Sequence, residues 1–188
     1  MTQGARSGAR ETTVPPAAEA VVSLLNSRPH ATPALPDTLD EPETAAAILR
    51  PFGSPPYEPP SPQRLAEVRA LRSELMAVVS AAEVAEAEQA WADLTQHAST
   101  VTLRQRFSAP GHAMLQQIDG DPVVGGIILA VAGLMTAGTW ARVRACANDL
   151  CRHVFYDTSR SSTQRWHSYE ICGNRSNVAA YRARRKNA

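Results

Sequence analysis

Three cysteines and one histidine near the carboxyl end have a spacing that reads directly as chemistry. Cys146 and Cys151 bracket four residues, fifteen more precede His167, and four separate His167 from Cys172, giving C-x4-C-x15-H-x4-C. Zinc takes four nitrogen or sulfur donors in a tetrahedron, and two ligand pairs flanking a short hairpin let a segment without a core deliver them. His153, two residues after Cys151, is a competing nitrogen ligand, but His167 preserves the two-plus-two arrangement and His153 does not. Without a metal, the three thiols would be small buried hydrophobes and His167 an imidazole beside Trp166. Four protein ligands leave no position for water or substrate, so the expected ion is structural and not hydrolytic.

Arginine crowds the same segment. Through Ala137 the sequence holds nine Arg, no Lys and fifteen acids, for −6; from Gly138 onward ten Lys or Arg face three acids, for +7. Nine of those ten cations are Arg, whose planar fork suits phosphate oxygens and guanine edges. DNA is therefore the expected partner, contacted by Arg160, Arg165, Arg175, Arg182, Arg184, Arg185 and Lys186. If Asn174 to Arg185 is helical, Arg175, Arg182 and Arg185 share one broad face, with Val178 and Tyr181 packing toward the zinc hairpin. Two plainer assignments compete: the terminal RARRKNA as a solvated tail, and Arg160 and Arg165 as partners of Asp157 and Asp149. A zinc-stabilised module that meets an acidic protein partner is the alternative function, and RNA is a third possibility.

Three cysteines cannot pair completely, which argues against a secreted disulfide framework and for a reducing, cytoplasmic setting, with DNA binding implying the nucleoid. The polar N-terminus lacks the apolar stretch of a secretory signal. The longest apolar run, Val123 to Ala137, is 15 residues, against roughly 20 for a bilayer span. No nucleophile-and-base pattern, Walker loop or dinucleotide fingerprint is present, and His97 and His112 stand isolated, so catalysis is not expected.

The elements that must position this segment are mainly helical. Residues 1–16 read as a tail. A short helix at Glu19 to Asn26 is followed by a proline-rich stretch interrupted by a helix at Asp40 to Arg50, and Pro51 to Pro62 is an extended covering loop. Ser61-Pro62 opens a helix to Ser80 whose apolar residues repeat at three and four, with Arg and Glu on the other face. Ala81 to Thr95 continues with a stripe of Val84, Ala87, Trp91 and Leu94. Alternation over Thr100 to Phe107, a turn at Pro110-Gly111, and His112 to Ile118 predict a hairpin. Asp121-Pro122 caps an almost wholly apolar helix to Met135, the expected central helix, whose Gly126 and Gly133 would admit a close backbone. Val154 to Asp157 is a strand, Thr158 to Gln164 its loop, and Cys172-Gly173-Asn174 enters the last helix. The fold class is thus mainly α with a small β-hairpin (α+β), a helical domain over 17–139 and a finger over 140–188.

Residues 144–151 (RACANDLC), Phe155 to Arg160, Arg165-Trp166, Cys172-Gly173-Asn174-Arg175 and Tyr181 to Arg184 resemble the CGNR zinc finger. That finger normally follows a helix-rich domain called ABATE in bacterial proteins regarded as stress-related transcription regulators. The Leu-Leu-Asn near the start, the long helix, the hairpin and the apolar helix are compatible with ABATE. The resemblance implies Zn2+ as cofactor and DNA-binding transcription regulation. The acidic charge and helical architecture of the first domain point instead to a small-molecule effector pocket or a homodimer face there, either of which would make the chain a one-component sensor and switch. One departure matters: where the family usually has a third cysteine after the Trp, this chain has His167, which would make the site Cys3His.

Overall fold

The structure, a computed structural model, describes residues 13–55, 58–109 and 112–186. Proline opens four of the six α-helices among the described residues: α1 (Pro16–Asn26), α2 (Pro42–Leu49), α3 (Pro62–Ser80) and α5 (Pro122–Thr136). At a first helical position the missing N–H is no loss and the fixed φ is already helical. Ser61 accepts from the Arg64 amide, and Asp121 from the Val123 and Val124 amides, completing two of these starts. Helix α4 spans Val84–Ala98 and α6 spans Asn174–Lys186. Strands β1 (Thr102–Ala109) and β2 (His112–Asp119) pair antiparallel, as do β3 (Val143–Ala145) and β4 (Val154–Tyr156).

The core lies where α1, α3 and α5 meet, filled by Val21, Leu24, Leu25, Val68, Leu71, Leu75, Ile127 and Val131. Leu39, Leu49 and Phe52 close it from α2 and its flanking 3-10 turns. Helix α5 is central, as its composition predicts, touching α1, α3, β2 and the turn at Arg50–Phe52. A Cβ on Gly126 would lie 2.1 Å from the Phe52 carbonyl oxygen, so only glycine admits that turn. Gly133 has nothing within 4 Å, so the expected second close approach is not made.

Other expectations need correction. Helix α1 begins at Pro16, so the tail expected to reach residue 16 ends earlier, and residues 1–12 lie outside the described residues. The hairpin turn at Pro110-Gly111 also lies outside them. In α4 the buried residues are Ala90 and Leu94; Val84 is 76% exposed, and Trp91 sits at the edge against Trp140. His97 is not isolated, since its Nδ1 lies 3.0 Å from a Glu74 carboxylate oxygen.

Arg72, placed on the polar face of α3 by its type, is 5% exposed. It donates to the Ser27 hydroxyl at 2.6 Å and to both carboxylate oxygens of Asp37. Burial alone would raise the Asp37 pKa, but hydrogen bonds from Arg72 and the Leu39 amide, with Arg69 nearby, hold it below the ordinary carboxylate range. A carboxyl depressed in this way stabilises the fold fully above its unfolded pKa of about 4 and loses that contribution as pH falls through the folded value. Denaturant unfolding of Asp37→Asn should show a loss of about 3 kcal/mol at pH 7, from a buried guanidinium without its anion. The variant should also lose the component of acid sensitivity that the native chain shows below about pH 4.

Candidate metal centre

The centre is built on a hairpin of two three-residue strands. Register pairs Val143 with Tyr156, Arg144 with Phe155 and Ala145 with Val154. Alternation then divides β4 between two cores: Val154 and Tyr156 join the main core, while Phe155 packs with Cys146 and Cys172, bordered by Cys151 and Trp166. Cys146 follows β3 directly, its amide donating to the His153 carbonyl at 2.8 Å. Asn148 turns the chain for Cys151: its carbonyl accepts from the Cys151 and Arg152 amides at 2.8 and 3.0 Å, and its side chain from the Leu150 amide at 3.1 Å.

The second pair comes from the other end of the loop. Ser168 accepts from the Ile171 amide through its hydroxyl and from the Cys172 amide through its carbonyl, at 3.3 and 2.9 Å, opening a π-helical turn over Tyr169–Gly173. A Cβ on Gly173 would lie 2.7 Å from the Tyr169 ring, which itself meets Trp166 edge-on. Asn174 donates from its side chain to the Glu170 carbonyl at 3.1 Å. In the run Cys-Gly-Asn-Arg, then, the glycine makes room for a ring, the asparagine ties the turn to α6, and Arg175 is exposed.

These turns bring Cys146, Cys151, His167 and Cys172 together, with one donor atom from each, all within 4.8 Å of one another. His167 Nδ1 lies 3.4 Å from Cys151 Sγ and 3.7 Å from Cys172 Sγ. With Zn–S near 2.3 Å and Zn–N near 2.0–2.1 Å, a tetrahedral site has S···N edges of about 3.6 Å, so the donor set fits the ion. His153 stays outside: its Nε2 is 3.2 Å from Asn26 Nδ2, its Nδ1 is 3.3 Å from His30 Nε2, and its ring lies against that of His167. Burial pushes the Cys151 thiol up to about 11, Cys172 and Cys146 adding to it against the pull of the His153 backbone. Burial, with His30 beside it, lowers the His167 pKa and favours the neutral imidazole that a metal requires.

The arginines divide into two uses. Asp157 is fully buried and accepts from the Ser159 hydroxyl and amide, the Gln164 amide and Arg144. Arg142 donates to the Asp157 and Ser159 carbonyls, and Arg144 also to those of Ser162 and Gln164. The partner of Asp157 is thus Arg144, and neither Arg160 nor Arg165 pairs with an acid among the described residues. Arg160 is exposed, and Arg165 lies over the Trp166 ring at 5.2 Å. Arg175, Arg182, Arg184 and Arg185 are exposed on α6, which ends at Lys186. Val178 and Tyr181, expected to pack toward the hairpin, are 48% and 55% exposed.

The contact of the site with the helical domain was not foreseen. Asn26, at the end of α1, accepts from the Val154 amide and donates to the Val154 carbonyl, both at 2.8 Å. The Ala31 amide donates to the Cys151 carbonyl at 3.1 Å. A Leu-Leu-Asn triplet signals a helix end but does not indicate which strand it will grip. Asn26→Ala should lower the unfolding free energy by about 2 kcal/mol, because both Val154 groups lose their partner. Hydrogen exchange should show faster exchange at the Val154 amide first.

Residues 18–150 match the ABATE family, whose description is "Putative stress-induced transcription regulator", and residues 142–185 match the CGNR zinc finger. Among curated proteins none matches the sequence. The two matched segments overlap on β3 and the first metal loop, where the structure joins helical domain and finger. The family match spans most of the chain, and the four-donor cluster supports zinc as its cofactor: the chain belongs to the ABATE family and carries a CGNR zinc finger at its carboxyl end.

Proposed function

We propose that the chain is a DNA-binding transcription regulator of the bacterial cytoplasm, acting at the nucleoid. One structural Zn2+, held by Cys146, Cys151, His167 and Cys172, folds its finger. The ion supplies a four-way crosslink and, with all four positions taken by protein, no catalysis. The observation that carries the reading is the continuity between the donor cluster and the basic helix: Cys172 is a donor, and two residues later α6 begins, bearing Arg175, Arg182, Arg184 and Arg185. Arg175, Arg182 and Arg185 fall on one face at helical spacing, suited to phosphates along a groove.

The helical domain would supply the regulation. An apolar cleft of about 260 Å³ between α3, α4 and α5, lined by Leu71, Leu75, Trp91, Leu94, Ile127 and Val131, suits an apolar effector. The exposed apolar residues of the β1–β2 hairpin, Phe107 and Leu115 on one face and Met114 and Ile118 on the other, suit a homodimer contact. The alternative is an acidic protein partner, and one observation favours it. Tyr169 and Ile171 on the π-helical turn, and Val178 and Tyr181 on α6, are exposed beside the arginines, giving this segment apolar as well as cationic character.

Metal analysis should find one zinc per chain, bound with release of about three protons at pH 7, since three thiols must become thiolates. Cys172→Ser and His167→Ala should weaken zinc by more than the roughly 10–100-fold that a lost outer partner costs, while His167→Cys retains it. A chelator should open residues 142–186 to protease.

Mobility shifts with genomic fragments should give a log-log salt slope near −4 to −5 for about five phosphate contacts. Arg182→Gln should reduce that slope by about 1 and weaken all sequences alike. Salt-independent binding would overturn the phosphate mechanism, and failure to shift any fragment would leave the acidic protein partner.

A further inference from the structure

A second cluster of cations lies away from α6, where the helical domain meets the metal loop. Arg28, Pro29 and His30 after α1, Ser73, Met76, Ala77 and Ser80 on α3, and Arg152 of the finger surround a pocket of about 390 Å³. Two guanidinium groups and an imidazole line it, and no acid does. Among the described residues, neither Arg28 nor Arg152 has a carboxylate within ion-pair distance, whereas Arg64, Arg72 and Arg144 each have one and Arg69 has two.

We propose that this pocket binds a small organic anion, a carboxylate or phosphate monoester with a short apolar body, between Arg28 and Arg152. Arg28 donates to the Leu25 and Arg152 carbonyls, using two of the five N–H groups of a guanidinium. Arg152 is exposed, and its guanidinium donates no hydrogen bond among the described residues. Ser80, on the α3 side, carries a buried hydroxyl with no partner. Met76, Ala77 and Pro29 supply the apolar wall. The carboxyl end of α3 adds about half a negative charge, too little to cancel two guanidinium groups. Burial and the positive charges of Arg152 and Arg72 disfavour the charged form of Arg28, against a smaller opposing pull from Cys151, and an incoming anion would offset the repulsion between the guanidinium groups.

The ligand would touch both the helical domain and Arg152, beside Cys151, and so favour their docking. Its use as a regulatory effector rests on the function proposed above, but its binding does not.

The test is amide NMR of the zinc-loaded full chain, titrated with inorganic phosphate or with hexanoate at constant ionic strength. The expected result is saturable shifts at Arg28, His30, Ala77 and Arg152, with the dissociation constant raised roughly tenfold or more in Arg152→Gln, the loss of one charge-assisted contact. Arg28→Lys, which retains charge while losing the fork, should weaken binding less than Arg152→Gln. Phosphate alone saturating would identify a phosphate site, and hexanoate alone a carboxylate site; either supports the proposal. Shifts that do not saturate, or that survive Arg152→Gln unchanged, would overturn it. So would loss of DNA affinity in Arg152→Gln with no saturable binding of either probe, which would make the pocket a DNA phosphate contact. Failure of the DNA reading itself would appear in the mobility shift of the native chain and leave the titration untouched.

Discussion

Three thiols and an imidazole gathered within 4.8 Å are the constraint on which the finger depends. Protonated, the thiols make weak hydrogen bonds; as thiolates they repel one another, and burial already pushes Cys151 up to about 11. A divalent cation removes both difficulties, because thiolates are what it binds. The finger's own apolar cluster is small, Cys146, Phe155 and Cys172 bordered by Cys151 and Trp166, so there ligands and packing are largely the same residues. Losing the crosslink therefore also removes the packing.

Strand β4 prevents the finger from being an appendage. Because its side chains alternate, the same three residues close the main core through Val154 and Tyr156 and the metal cluster through Phe155. Asn26 holds both backbone groups of Val154, and Ala31 holds the carbonyl of Cys151, so the end of α1 and the loop after it follow the shape of the metal loop. Movement of α1 would strain those bonds, and loss of the metal loop would expose groups that α1 now satisfies. Two domains joined in this way share hydrogen-bond partners across their contact.

What could be read in advance follows from how local each signal is. Helix starts are legible at Pro42, Pro62 and Pro122 because a proline acts on its own backbone, whereas the start at Pro16 lies three residues before the Glu19 that the apolar pattern indicates; the ligand set is legible because tetrahedral coordination restricts spacing. Strand β3 was missed because three residues cannot establish a period of two. Arg72 was misplaced because its partners, Ser27 and Asp37, lie 45 and 35 residues away. The apolar type of Val178 and Tyr181 suggests burial, yet among the described residues the finger's own cluster is Cys146, Phe155 and Cys172 with Cys151 and Trp166, and α6 leaves both side chains exposed.

The charge excess of the carboxyl segment likewise has two origins that counting cannot separate. Arg142 and Arg144 are spent internally, on the buried carboxylate of Asp157 and the carbonyls of the loop that it organises. That loop ends where Gln164 and Trp166 lead into His167, so these two arginines act on the metal site by fixing the approach of a donor. Exposed Arg175, Arg182, Arg184 and Arg185 sit on the far side of the other donor, on a helix that starts two residues after Cys172. A cation can present a fixed array to a polyanion only if its backbone is fixed first. In this chain one set of arginines helps to build the mount from which the other set projects.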